Sequence, residues 1–361
     1  MLGEVTGDGR VIFYDSEKQV THIDLPIDQV LKGLPQKTIE DVSPAYLGSP
    51  IKWPEDLTFH DALSRVLQLP AVARKSHLVD RIDTSIMAYR VVGQACGPLY
   101  LPLNDFAMSS IDYNGTFGVA TFIGEQPLKM MLDPRAGARI TAAEMFLNGS
   151  SVKCTGLNDI KPDINWMWPA KGIRGGIAKQ YIAMEALTDF IICFETGGKG
   201  GKDSQTLYVK RKDGSIVKSP ETLVLTGEVR VDDISKFVTV DIKKPGQSKL
   251  LLIDHCKGMA RLGGSSFLQV YGQLGDECPD VDPMDLYYGV MAEQEMIDEG
   301  LILSAHDRTG DGGLAVCVLE MLFAGDCGAK INLQGENLYK TLFAEEAGKV
   351  IEYAVENEAA I

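Results

Sequence analysis

Residues 117–148 read FGVATFIGEQPLKMMLDPRAGARITAAEMFLN, and the change of pattern inside this stretch sets the fold class. Phe117 to Ile123 reads as a strand. Asp133-Pro134 then opens a helix. Aspartate caps the first unpaired N–H groups, and proline suits the first turn, where its own N–H is not needed. Ala136, Ile140, Ala143 and Leu147 follow at spacings of four, three and four, one apolar stripe along a helix from Pro134 to Leu147.

Outward from this stretch the alternation continues. Strands are expected at Phe190 to Phe194, Leu223 to Val229 and Lys249 to Ile253, and helices at Ile177 to Leu187, Met284 to Glu299 and Leu314 to Leu322. Such alternation defines the α/β (α+β) class. Upstream, Gly7-Asp8-Gly9 reads as a hairpin turn ahead of Val11-Ile12-Phe13, and a short helix ends near Gly33. Pro35, Pro44, Pro50, Pro54 and Pro70 give a linker composition, with one amphipathic helix at Thr58 to Gln68. A second composition break falls near Asp213 to Pro220. The expected organisation is therefore 1–33, a linker at 34–71, a unit at 72–217 and a unit at 218–361.

Composition narrows the function. With 45% hydrophobic and 24% charged residues in 361, the chain can bury sizeable cores. It carries no apolar run of membrane-spanning length and no basic-then-apolar leader pattern, so the reading is a folded cytoplasmic protein with no membrane partner. A formal charge of −15 speaks against a nucleic-acid partner, because neutralising phosphates needs clustered Lys and Arg. It does not exclude a nucleotide, since magnesium can bridge protein carboxylates to phosphate. The seven cysteines lack Cys-x-x-Cys spacing and read as reduced thiols.

Several residues carry possible chemistry. Asn104 and Asp105 interrupt the apolar run Leu99 to Met108, where a carboxylate must be paired, capped or on a metal. Glu144 and Asn148 lie four apart at the edge of the buried stripe, so their oxygens share a helix face and suit a hard cation; a solvated helix edge is the plainer alternative. In Ala305-His306-Asp307-Arg308-Thr309-Gly310-Asp311-Gly312-Gly313, Asp307 could hold a cation and Thr309 a phosphate oxygen, with the following helix N-terminus favouring an anion. A solvated turn would read the same way. Thr196 to Ser204 is glycine-rich but breaks the G-x-x-x-x-G-K-[ST] order, and Arg261 to Ser265 is equally ambiguous between an anion nest and a turn. Trp166-Met167-Trp168 reads as packing. No cysteine has a sequence-local base, so a glutaminase within this chain is rejected and catalytic residues remain unassigned.

In order along the chain, Gly97-Pro98-Leu99 with Pro102 to Asp105, Gly124-Glu125-Gln126-Pro127 with Leu132-Asp133, Ala143-Glu144 with Asn148, and Asn165 to Trp168 resemble segments of the formylglycinamide ribonucleotide synthetase family. So do Gly201 to Ser204, Arg261 to Ser265, His306 to Arg308 with Asp311 to Gly313, and Leu342 to Gly348. The resemblance implies an aminoimidazole-ribonucleotide-synthetase-like (PurM-like) pair of N-terminal and C-terminal domains, forming the second of two pseudo-symmetric halves. Residues 1–33 would be the tail of the first half, and 218–361 a C-terminal-type domain that stops early. It also implies an ATP-dependent ligase of purine biosynthesis. Residues matching Asp105, Glu144, Asn148 and Asp307 hold magnesium on a structural ADP or ATP, and those matching Asn104 and Thr309 touch the nucleotide. Partners would be the enzyme's other synthetase and glutaminase domains, and homodimerisation is a further option. The sequence departs from the family at Asp83-Thr84-Ser85 to Met87-Ala88-Tyr89, at Asn104 where alanine is common, at the inserted Gly310 and at Gln205-Thr206. These departures keep open a non-catalytic or regulatory relative that retains the fold.

Overall fold

Extended, half-buried runs become strands and capped apolar stripes become helices in the computed structural model, which describes every residue except Met1, Lys32, Leu34, Pro35, residues 80–88 and Glu336. The divergent positions Asp83 to Ala88 lie outside the described residues. Contacts divide the chain into Met1–Asp41 and Val42–Ile361.

The first unit is a hairpin, β1 (Arg10–Asp15) against β2 (Val20–Pro26), followed by α1 (Ile27–Leu31). Its turn is not at Gly7 to Gly9. It falls between Asp15 and Val20, where the Asp15 carboxylate accepts from the N–H groups of Glu17 and Lys18 and Gln19 takes a left-handed φ of 56°. An Asx turn thus does the work expected of glycine.

In the larger unit α2 (Phe59–Leu67) and α3 (Ser76–Val79) precede β3 (Arg90–Val92), β4 (Phe106–Ser110) and β5 (Gly118–Glu125). Then come α4 (Pro127–Leu132), α5 (Pro134–Gly149), β6 (Lys161–Met167), α6 (Gly176–Cys193) and β7 (Gly200–Ser204). A small exposed hairpin, β8 (Tyr208–Lys210) with β9 (Ile216–Lys218), leads to β10 (Thr222–Val231). The remainder is β11 (Ser248–Asp254), α7 (Ser266–Val270), α8 (Pro283–Asp298), β12 (Ile302–Asp307), α9 (Gly313–Gly325), α10 (Leu338–Phe343) and β13 (Gly348–Ala354).

Six strands form one sheet in the order β3-β4-β5-β10-β6-β7, antiparallel except for β6 with β7. Alternate residues of β5 are buried, and α5 packs on that face against β5 and β10. Although β10 follows the composition break at 213–220, it is central in this sheet, so the boundary expected at 217/218 falls after Val231; the break is the tip and exit of the β8–β9 hairpin. The second sheet is β11-β13-β12, and its central strand β13 is buried throughout, with Val350 in one core cluster with Leu314, Cys317, Val318 and Met321 of α9.

Two further expectations change. Phe190 to Phe194 is the C-terminal end of α6 and its cap, not a strand. Phe190 and Phe194 stack on Phe146 of α5, with the Phe146–Phe194 centroids 3.8 Å apart, and this tertiary packing outweighs the β-propensity of an aromatic run. The glycine-rich segment therefore follows a helix, and its second half is the strand β7 itself rather than a turn. Residues 42–71, linker-like in composition, pack on the larger unit: Trp53 lies against Phe267 and Tyr339, and Lys52 exchanges hydrogen bonds with Gln273. Within them α2 runs as read, capped by the Thr58 side chain accepting from the Asp61 N–H.

The α5–β5 contact depends on Gly124. A Cβ there would lie 2.2 Å from the Thr141 carbonyl oxygen and 2.7 Å from the Met145 nitrogen. Gly124→Ala is expected to cost about 1–3 kcal/mol by forcing the helix off the sheet, read as a lower urea midpoint. An unchanged midpoint would mean that α5 has room to move.

Candidate functional site

Five of the six residues singled out, Asn104, Asp105, Glu144, Asn148 and Asp307, line one cavity of about 270 Å³. Three lengths of chain deliver them. Asn104 and Asp105 stand just ahead of β4, Glu144 and Asn148 on successive turns of α5, and Asp307 at the end of β12.

Local bonding aims each side chain. The Glu125 N–H donates to Glu144 Oε2 at 2.6 Å, holding that carboxylate at the end of β5. The Asn148 amide nitrogen donates to the Ile123 carbonyl at 2.8 Å, which leaves its own carbonyl oxygen as the remaining acceptor. The Asn104 amide nitrogen donates to the Gly93 carbonyl at 2.8 Å, while its Oδ1 is buried without a hydrogen-bond partner. Thr309 is placed differently. It is fully buried and does not line the cavity; its N–H and hydroxyl donate to Asp307 Oδ1 at 2.9 and 2.6 Å, fixing that carboxylate.

The cavity is strongly anionic, since Asp311 and Glu320 also line it. Burial first, then the charge of Asp307, push the Glu144 carboxyl well above the ordinary carboxylate range. Burial and the nearby Asp105 raise Asp307 to about 6 against the hydrogen bonds from Thr309, and burial with the charge of Glu345 raises Asp311 to about 6. Such crowding of ionised oxygens costs free energy that a bound cation would relieve.

Several neighbours were not singled out. His306 bridges Asp105 Oδ1 at 2.6 Å and Glu320 Oε2 at 2.8 Å. Burial alone would lower its pKa, but the facing Asp105 outweighs this and raises it well above the usual value, which favours the protonated ring between the two carboxylates. The sequence signal was only the histidine beside Asp307; Glu320, fourteen residues on, offered none. Arg74 and Lys75 also line the cavity, and they are cations of the kind that meet phosphate.

The donor set fits magnesium: the three carboxylates of Asp105, Glu144 and Asp307 and the amide carbonyl of Asn148, all hard oxygens. Gly310 keeps the space between two of them open, because a Cβ there would lie 3.4 Å from Glu144 Oε1 and 3.8 Å from Asp307 Oδ2. Among the described residues no three His, Cys, Asp or Glu side chains close on one point. Magnesium keeps waters and phosphate oxygens in its coordination sphere, so a protein cage closed around it is not required.

At two of the other glycine-rich candidates the protein itself fills the space. Gly264, at φ 70°, packs its Cα against the Lys129 backbone, and the Gly312 N–H at the start of α9 donates to Glu345 at 2.7 Å, so the anion at this helix N-terminus is a side chain. A larger cavity, of about 800 Å³, lies between β11 and residues 327–334, mostly aliphatic and holding none of the six. Trp166 and Trp168 are buried edge to face, as packing residues.

Residues 74–229 match the family described as FGAR-AT PurM_N-like domain, and residues 244–361 the AIR synthase related protein, C-terminal domain. The two α/β units are thus a PurM-like N-terminal domain and an AIR-synthase-type C-terminal domain. The solved structure of T. maritima PurL complexed with FGAR has the same fold, with a TM-score of 0.61 at 14% identity over 84% of this chain and 46% of that one. The probable phosphoribosylformylglycinamidine synthase, chloroplastic/mitochondrial, of Arabidopsis thaliana is 37% identical over 376 residues, covering 100% of this chain and 26% of that protein. The Homo sapiens phosphoribosylformylglycinamidine synthase is 35% identical over 97% of this chain and 27% of its own length. The chain belongs to the phosphoribosylformylglycinamidine synthase family, a family of purine-biosynthesis ligases, and spans about a quarter of the length of these relatives. Among the described residues no helix is long and apolar enough to cross a membrane.

Proposed function

We propose that this chain is the part of such a ligase that holds magnesium and a nucleotide, ADP or ATP, in a largely structural role. The ligase as a whole would convert formylglycinamide ribonucleotide and glutamine to formylglycinamidine ribonucleotide. The observation that carries the reading is the single cavity where Asp105, Glu144, Asn148 and Asp307 present hard oxygens beside Arg74 and Lys75. Asp105, Glu144, Asn148 and Asp307 would hold the metal, which neutralises phosphate charge when bound. The unpartnered Asn104 Oδ1 is left to accept from the nucleotide, and Thr309 acts through Asp307. His306, paired with both Asp105 and Glu320, sets the direction of the Asp105 carboxylate.

Turnover is assigned to companion domains of the same enzyme, and the isolated chain is expected to lack amidotransferase activity. The hairpin β1–β2 supports this, because the cross-strand partners Phe13 and Ile23, with Leu25 on the same face, are exposed and so offer an apolar surface to another domain.

Denaturing the purified chain and identifying released nucleotide and metal by mass spectrometry tests the reading. About one ADP or ATP per chain, with magnesium, is expected. Release of none, together with no magnesium-dependent ADP binding on titration, would remove the nucleotide role and leave a scaffold.

A further inference from the structure

Two buried polar side chains of α4 and its cap stand behind the loop that carries Asp307 without lining the cavity, Gln126 touching the loop directly and Lys129 reaching it through Gln126 and Glu345. Gln126 Nε2 donates to the Thr309 carbonyl at 3.2 Å, and Gln126 Oε1 accepts from Lys129 Nζ. Lys129 Nζ also donates to Glu345 Oε2 at 2.6 Å, with both side chains 1% exposed. The other oxygen of Glu345 accepts from the N–H groups of Gly312 at 2.7 Å and Ser266 at 2.8 Å. Gln126 and Lys129 belong to the domain that supplies Asp105, Glu144 and Asn148; Thr309, Gly312 and Glu345 belong to the domain that supplies Asp307.

We infer that Lys129 is a positioning residue for the cation: through Gln126 and Glu345 it fixes the backbone at Thr309 and Gly312 and so sets Asp307 against Glu144 across the domain boundary. The inference rests on the magnesium-nucleotide reading above. Nothing else in the bonding pattern requires a lysine here. An apolar residue would fill the same space between α4 and the 345 segment, and burying the charge is costly unless every donor is used. Two of the ammonium donors are spent on the two groups that grip the loop.

Position and charge predict opposite signs. Lys129 is a cation close enough to Asp311 and Glu144 to feel both. If its charge alone mattered, removing it would make the cavity more negative and tighten metal binding. If it positions the loop, removal separates the ligands and weakens binding, by about 10- to 100-fold as for other residues that orient metal ligands.

The test is a Mn²⁺ titration in the presence of ADP, followed by electron paramagnetic resonance, on the full chain and on Lys129→Met. A melting curve without metal reads stability separately. Weakening of at least about tenfold is expected, and Mn²⁺ affinity equal to or tighter than wild type overturns the inference. Should Lys129→Met not fold, Gln126→Met decides. It keeps the Lys129–Glu345 pair and loses the grip on Thr309, together with the Gln126 bonds to Lys129 and Glu144, and is expected to weaken Mn²⁺ several-fold; unchanged affinity there overturns the inference. If the unaltered chain itself binds no Mn²⁺ with ADP, the nucleotide reading fails and takes this inference with it, an outcome distinct from either variant result.

Discussion

Replacing Lys349 by methionine is expected to destabilise the protein by about 3–5 kcal/mol at neutral pH, because it leaves a carboxylate buried without its cation. Lys349 and Glu293 are each 1% exposed, with Nζ 3.6 Å from Oε2. Nζ also donates to the Leu147 carbonyl at 2.6 Å and to Ser150 Oγ at 2.7 Å, and Ser150 in turn donates to Glu293 at 2.5 Å. This cluster ties β13 and α8 of the C-terminal domain to the end of α5, one residue from Asn148. Burial by itself would push the Glu293 carboxyl up, but Lys349, His255 and Ser150 outweigh it and hold the carboxyl below its ordinary value.

The sign of the pH dependence follows. A depressed carboxyl contributes stability that is present above its unfolded pKa, near 4.5, and is lost as pH falls through the lower folded value. In Lys349→Met the same carboxyl loses its main cation and rises, so the variant is penalised most at neutral pH. Urea unfolding of both proteins should show a gap that is largest near pH 7.5 and narrows towards pH 4.5. Lys349→Met with Glu293→Gln should recover much of the loss, since no charge is then orphaned. A gap below about 1 kcal/mol at pH 7.5, or one independent of pH, would mean that water replaces the ammonium and the cluster is not closed.

What could be read from sequence was what depends on neighbours within a few turns. Asp133-Pro134 caps α5 through bonds from the Arg135 and Ala136 N–H groups, as its residue types dictate. Glu144 and Asn148 share a wall of the cavity because they stand four apart on that helix. The domain pair was legible through the ordered motifs, and the family models that match residues 74–229 and 244–361 carry the same assignment. Thr58 to Gln68 was equally local.

What was missed depends on distance along the chain or on competition. Lys129 and Glu345 are 216 residues apart, and no periodicity links a lysine in an apolar helix to a glutamate in a later loop. The sequence Leu342 to Gly348 was only a matching motif. In the structure Glu345 holds two backbone N–H groups, Glu346 forms a two-pronged pair with Arg261, and a Cβ on Gly348 would collide with Arg308. Phe190 to Phe194 failed because its strand-like composition competes with helical stacking on Phe146, a partner more than forty residues earlier. The helix N-terminus at Gly312 looked open to phosphate because the side chain that fills it comes from a different element.

The sharpest separation of binding from folding should come from Glu144→Gln, whose effects on the two are expected to oppose. Glu144 is a cavity wall residue whose carboxyl is raised by burial and by the charge of Asp307, so its ionised form strains the metal-free protein at neutral pH. Glutamine has the same shape, and its carbonyl oxygen can still accept the Glu125 N–H now bonded at 2.6 Å. Removing the charge should therefore raise metal-free stability, on the order of 1 kcal/mol, as relief of a binding site commonly does. The same change takes one anionic ligand from the cation, and magnesium-dependent ADP affinity should fall by about a hundredfold or more. Wild type with magnesium and ADP at a hundred times their dissociation constant gains about 2.7 kcal/mol from binding, while the variant at the same concentrations gains little. The two melting temperatures should thus exchange order when magnesium and ADP are added, a crossing that no purely structural role for Glu144 produces. Curves that shift in parallel would take Glu144 out of the metal site and leave Asp105, Asn148 and Asp307 to hold the ion.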